Sequence, residues 1–127
     1  MHDGIQTCSS RHSVDDVVSR LQALLLEKNI QIFAIIDHSG EAQAVGLNMP
    51  PTKLIIFGNP RGGTPLMQAA PSTALDLPLK ILIAQQPNGQ TLLSWNNPTW
   101  LQQRHGFPKD LQPNIAAVEV LANKAAE

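Results

Sequence analysis

The sequence predicts an α+β fold: one antiparallel sheet with helices packed on one face, in the order strand–helix–four strands–helix. Three observations carry this expectation. An amphipathic helical pattern over Val14 to Lys28 comes early, after one short strand-like run. Four apolar runs of strand length follow it. The last two of these are joined through Asn88-Gly89, a hairpin signal. A doubly wound parallel sheet would need helical crossovers between most strands, and the hairpin argues against it. With 127 residues the chain reads as a single domain, 1–127, able to bury a core without covalent staples.

The elements follow in order. Gly4 to Ser9 alternates, with Ile5 and Thr7 between polar neighbours, and reads as a strand. Ser13 is placed to cap the first helix, with Asp16 three residues later and Asp15 beside it at the positive helix end. Val14, Val17, Val18, Leu21, Leu24 and Leu25 form its apolar face, and Asn29 suits the left-handed residue that stops it. Ile30 to Asp37 is apolar on both faces, which predicts a central strand. A long connection follows, with a short helical turn ending at Gly46. "LIIFGN" (54–59), "LPLKILIAQQ" (77–86) and "QTLLSWN" (90–96) are the remaining strands. Asn97 as cap, Pro98 at the first position and Gly106 as stop frame another helix. The chain closes on an amphipathic helix with Ile115, Val118, Leu121, Ala122 and Ala125 along one side.

Composition narrows the function classes. Apolar residues make up 43% and charged residues 15%, which leaves little polar surface and favours a homodimer that covers apolar area. The net charge of -1, with no basic run, argues against nucleic acid as a partner. The absence of tyrosine, with only five Phe or Trp, argues against a base-stacking surface. Cys8 is the only cysteine, so no internal disulfide or cysteine-rich metal site is expected. No apolar run is long enough for a membrane span, and the first residues lack a signal-peptide core; a cytoplasmic protein is expected.

The motif of greatest interest is "FGNPRGGTPLMQAAP", 57–71. Gly58 and Gly63 have the glycine spacing of a Walker phosphate loop. Thr64 stands where the lysine is needed and Pro65 where the metal-binding hydroxyl is needed, so nucleotide hydrolysis is excluded. Two readings remain. In one, Thr64 caps a helix starting at Pro65, free amides attract an anion and Arg61 adds charge. In the other, Gly62 or Gly63 supplies positive φ in a turn of purely structural meaning.

Asp37-His38 closes an apolar strand and reads either as base plus orienter or as a strand end entering a loop. The four histidines show no metal-ligand spacing, so no metal site is expected. His12 is the nearest candidate base to Cys8 in sequence, yet an inert, buried cysteine is the simpler expectation. In a meander, Asn59, Arg61, Asp76 and Asn96 gather at one edge of the sheet, with Asp37 and His38 at the other, roughly 17–20 Å away. Met67 and Trp95 are the candidates to line a pocket there, and Arg61 with Asp76 could equally form a structural ion pair.

The stretches "IDH", "PPTKLIIFGNP", "GTPLMQAAP", "LDLPLK" and "WNNPTWLQQRHG" resemble the domain of unknown function 302 family over nearly the whole chain. The resemblance implies a TATA-binding-protein-like fold and often a homodimer. It implies no reaction, cofactor or nucleic acid, because fold does not carry function. Three functions stand open from the sequence. The first is a dimeric, non-catalytic module binding a small molecule or anion through Asn59, Arg61, Gly63, Thr64, Met67, Asp76, Trp95 and Asn96. The second is an enzyme using His38 with Asp37 or Asp76. The third is a structural or protein-interaction module. No cofactor follows from the sequence.

Overall fold

The computed structural model describes residues 4–127. The elements are β1 (Ile5–Ser10), α1 (Val14–Glu27), β2 (Gln31–Asp37), α2 (His38–Ala44), β3 (Thr52–Gly58), α3 (Pro60–Ala69), β4 (Leu79–Gln85), β5 (Thr91–Asn96), α4 (Pro98–His105) and α5 (Ala117–Ala126). Two 3-10 turns, Pro71–Leu75 and Lys109–Ile115, precede β4 and α5. The five strands form one sheet in the order β1-β5-β4-β3-β2, antiparallel throughout. This is the α+β architecture expected from the sequence.

The position of β2 corrects the expectation of a central strand: among the described residues it is an edge strand, paired with β3 alone. Its register slips between Ile32 and Ala34, a bulge that puts Phe33 out of the ladder and leaves it 45% exposed. The strand is apolar on both sides because the sheet is apolar on both sides, not because two strands flank it.

Alternation along the strands separates the faces. Ile55, Phe57, Ile81, Ile83, Leu93 and Trp95 point to one face and are buried under α1 and α5. The helices contribute Val17, Leu21 and Leu25, and Val118, Leu121 and Ala125. Leu54, Ile56, Leu82, Ala84 and Leu92 alternate with these and face the other way, only half-buried.

Local signals set the element ends. Ser13 accepts the Asp16 amide at 3.1 Å, and Asn29, at φ 56°, ends the turn after α1. The β4–β5 hairpin is a three-residue loop: the Gly89 amide donates to Gln86 O at 2.8 Å and Gly89 itself takes φ 85°. That geometry is a type I turn with a glycine bulge, so the Asn-Gly pair marks the hairpin without forming the two-residue primed turn. Asn97 accepts the amides of Thr99 and Trp100, and Gly106 ends α4 at φ 76°.

A second, smaller core lies past the end of the sheet. Leu66 of α3, Leu101 of α4, Phe107 and Ile115 are buried together, with Leu77, Leu79 and Trp100 against them. Ile115 therefore belongs to this cluster and not to the apolar stripe of α5, which begins after it. The clustering fixes α3 against the second 3-10 turn, beside the end of β3.

Candidate functional site: a ring-sized pocket at the end of strand β3

The glycine-rich stretch after β3 is a helix, not a loop. α3 runs unbroken from Pro60 to Ala69, with Gly62, Gly63 and Pro65 inside it. Its cap is Asn59, whose Oδ1 accepts the Arg61 amide at 3.0 Å, with Pro60 in the first turn. The Gly62 and Gly63 amides both donate to Asn59 O at 2.9 Å. Thr64 is therefore not the cap, and neither Gly62 nor Gly63 takes positive φ. The amides of this first turn are already bonded, which removes the donors that an anion would need.

The glycines serve close packing instead. A Cβ on Gly62 would lie 3.2 Å from the backbone oxygen of Asn114, whose side-chain amide donates to Gly62 O at 3.1 Å. A Cβ on Gly63 would point between Leu77 Cδ1 and Met67 Cε at 3.5 and 3.9 Å. Beside that open position lies a pocket of about 170 Å³. Its walls include Phe33, Met67, Leu77, Pro78, Leu79 and Ile115, and the exposed Asn59, Thr64 and Asn114 stand on its rim. Gly58 forms part of the floor, where a side chain would meet Phe33 and Pro78. The size matches a cavity that holds one aromatic ring, on the order of 150 Å³.

The expected site residues separate into three places. Asn59, Gly63, Thr64 and Met67 line the pocket together. Arg61 does not: it lies on the exposed side of α3 and is not among the lining residues. Asp76 is engaged elsewhere, by Arg104 Nη1 at 3.1 Å and His105 Nε2 at 2.6 Å, so the Arg61–Asp76 pair does not form. Trp95 belongs to the main core under the helices, its Nε1 donating to Gln6 Oε1 at 3.0 Å, and Asn96 faces a shallow groove on the uncovered side of the sheet. Trp95 lies outside the pocket because β5 is separated from β3 by β4 and its ring turns toward Gln6 of β1.

Phe33, Asn114 and Ile115 are pocket residues that the sequence reading does not identify. Phe33 arrives through a bulge, and the other two through packing of a 3-10 turn far along the chain, so neither leaves a local signal. The Asn59 cap does leave one. Asn59-Pro60 repeats the Asn97-Pro98 signature of α4, and the glycine pair after it draws attention away.

Asp37 and His38 sit at the opposite end of the sheet, where Asp37 pairs with Lys53 in the ladder. The Asp37 carboxylate caps α2: Oδ1 accepts the Gly40 amide at 2.9 Å and the Ser39 hydroxyl at 2.7 Å. These two bonds hold its pKa below the ordinary carboxylate value. A polar hollow of about 400 Å³ adjoins Asp37, Ser39 and Lys53, but His38 is exposed and does not line it. The two residues thus share no hollow, and the carboxylate has a local structural task. Among the described residues no cluster of three or more His, Cys, Asp or Glu side chains could hold a metal; His2 lies outside them. Cys8 packs half-buried on the main core, where burial pushes its thiol pKa up. His12 bonds Glu127 O at 2.6 Å.

Three curated relatives from Brucella match this chain. "Fluoride-specific ion channel FluC 1" of Brucella suis biovar 1 (strain 1330) is 43% identical over 104 residues, covering 82% of this chain and 41% of the relative. The protein of the same name from Brucella abortus biovar 1 (strain 9-941) is 43% identical over 82% of this chain and 38% of its own length. This chain therefore spans about two fifths of the curated relatives it matches. Among the described residues no helix is long and apolar enough to cross a membrane. The fold superposes on the crystal structure of an uncharacterized conserved protein DUF302 from Bacillus stearothermophilus. The TM-score is 0.79 at 18% identity, over 98% of this chain and 97% of that one. Residues 6–125 match the family described as "Domain of unknown function DUF302", and the chain belongs to that family.

Proposed function

We propose that this domain is a binding module that takes a small, mainly apolar, ring-sized molecule into the pocket between the end of β3, α3 and the Leu77-Pro78 turn. The pocket carries this reading: aliphatic and aromatic walls of about 170 Å³, with amide and hydroxyl groups only at the rim. A neutral head group fits better than an anion, because the helix amides are bonded internally and Arg61 lies outside the lining. A thermal-shift panel of benzyl alcohol, benzoate and inorganic phosphate tests it. The reading expects a shift with benzyl alcohol that Met67→Trp abolishes, and none with phosphate. A shift with phosphate that Arg61→Ala removes would restore the anion reading and refute this one.

The half-buried apolar face of the sheet supports a homodimer, because Leu54 pairs with Leu82 and Ala84 with Leu92 on the side turned away from α1 and α5. Light scattering then finds two chains per particle, and Leu82→Lys gives one. A monomeric parent chain would refute the dimer. In the Brucella relatives the matching region accompanies a larger part of a protein named for fluoride conduction. We assign this domain a binding role beside such a part and not conduction itself.

A further inference from the structure

A hydrogen-bonded line of three side chains lies outside the pocket. Ser72 Oγ is 2.7 Å from His105 Nδ1, and His105 Nε2 is 2.6 Å from Asp76 Oδ2. Arg104 Nη1 donates to the same carboxylate oxygen at 3.1 Å, and the Arg104 Cζ lies 5.3 Å from the centre of the Trp100 ring. We propose that Ser72, His105 and Asp76 form a hydroxyl-activating relay, with Ser72 as the nucleophile of acyl transfer from small, unhindered esters to water.

The geometry assigns each role. A carboxylate only accepts, so the Nε2 facing Asp76 carries a hydrogen. In the neutral ring that leaves Nδ1 as an acceptor, aimed at the Ser72 hydroxyl. The two ring nitrogens exchange the places they take in the best-known Ser-His-Asp arrangement, but base and orienter stand in the same relation to the hydroxyl. The His105 side chain is 3% exposed and that of Asp76 is 14% exposed, so the ring is held in place while Ser72 itself is open to solvent. Asp76 with Arg104 and His105 already ties the 3-10 turn to α4, and the Ser72 hydroxyl extends that line to the solvent-exposed surface. Residues three apart in a 3-10 turn stack on one side. Leu75 is therefore beside Ser72, and its 71% exposure leaves an apolar contact for a short acyl chain.

In the first step the Ser72 Oγ forms a bond to the carbonyl carbon as its proton passes to His105 Nδ1, and the carbonyl π pair moves to oxygen. Collapse breaks the ester C–O bond, and the departing alkoxide takes the proton from Nδ1. Water then adds to the acyl-serine, giving its proton to His105. Release of the acid returns the proton to Ser72. Ester and water become acid and alcohol, with no change of oxidation state.

A fluorophosphonate probe and p-nitrophenyl acetate and butyrate test the proposal on the whole chain. The expected result is a single labelled residue, Ser72, located by mass spectrometry. Ester hydrolysis should fall about 100-fold or more in Ser72→Ala, the usual scale for a positioned base acting on a nucleophile. This variant also removes the hydrogen bond to the nearly buried His105 ring, so hydrolysis is compared at a temperature where unfolding curves show both chains folded. Leu75→Ala should lower butyrate turnover more than acetate turnover, a selective loss that a folding staple does not produce. Absence of label at Ser72, or undiminished hydrolysis in Ser72→Ala, would overturn the proposal.

Discussion

Replacing Gly63 by alanine is expected to stabilise the protein. Gly63 lies inside α3 without positive φ, and a Cβ there meets nothing closer than Leu77 Cδ1 at 3.5 Å, an ordinary contact. Alanine at such a compatible position gains about 0.4–1 kcal/mol by restricting the unfolded chain and favouring helix. For a domain of this size that is a rise in melting temperature of roughly 1.5–4 °C. Gly62, one residue earlier, provides the internal comparison. There the new Cβ lies 3.2 Å from the Asn114 carbonyl oxygen, which the Asn114 side-chain bond to Gly62 O helps to hold in place. Forcing that contact costs about 1–3 kcal/mol, enough to cancel the helix gain or exceed it. Urea unfolding of the two variants beside the parent measures the difference, with Gly63→Ala above the parent and Gly62→Ala at or below it. If the pair formed a left-handed phosphate-loop corner, alanine at the strained position would instead lose about 1–2 kcal/mol. A loss of that size in Gly63→Ala would refute the helical account of this segment.

Other expectations follow from the capping groups. Asp37 has its folded pKa lowered, chiefly by the Gly40 amide and then by the Ser39 hydroxyl. Its contribution to stability is therefore present above the unfolded carboxylate value, about 3.9, and is lost as pH falls through the lower folded value. Asp37→Asn keeps a cap oxygen but cannot titrate, so the stability gap between parent and variant should be constant near neutral pH and shrink in acid. An unchanged gap down to the acid transition would contradict the assignment. Asn97→Ala removes the acceptor for two amides of α4 and should cost about 1 kcal/mol in chemical unfolding; no loss would mean that the cap contributes nothing.

Much of the fold is legible in the sequence because its signals are local. The Ser13 cap, the stripe from Val14 to Leu25, Asn29 and the Asn97-Pro98…Gly106 frame each act within one element. The pairing of β4 with β5 is legible through the hairpin, but the edge position of β2 is not, because apolar residues on both faces describe a double-sided apolar sheet as well as a central strand. The site is less legible. Spacing places Asn59 and Gly63 together, since both belong to α3 and its cap, and Met67 follows one helical turn from Gly63. Arg61 is lost because helical geometry turns it away from its neighbours, and Asp76 because Arg104 and His105, distant in sequence, claim its carboxylate. Ser72 and His105 are 33 residues apart, so only the packing of α4 against the 3-10 turn brings them together.

The apolar pocket beside Gly63 and Met67 is the feature on which a binding role depends. A titration of isotope-labelled protein with benzyl alcohol, followed through backbone amide and methionine methyl resonances, tests it directly. The expected result is a saturable shift confined to Phe33, Gly58, Gly63, Met67, Leu77, Leu79 and Ile115, absent in Met67→Trp. Unsaturable shifts, or shifts centred on Arg61 instead of these residues, would contradict it.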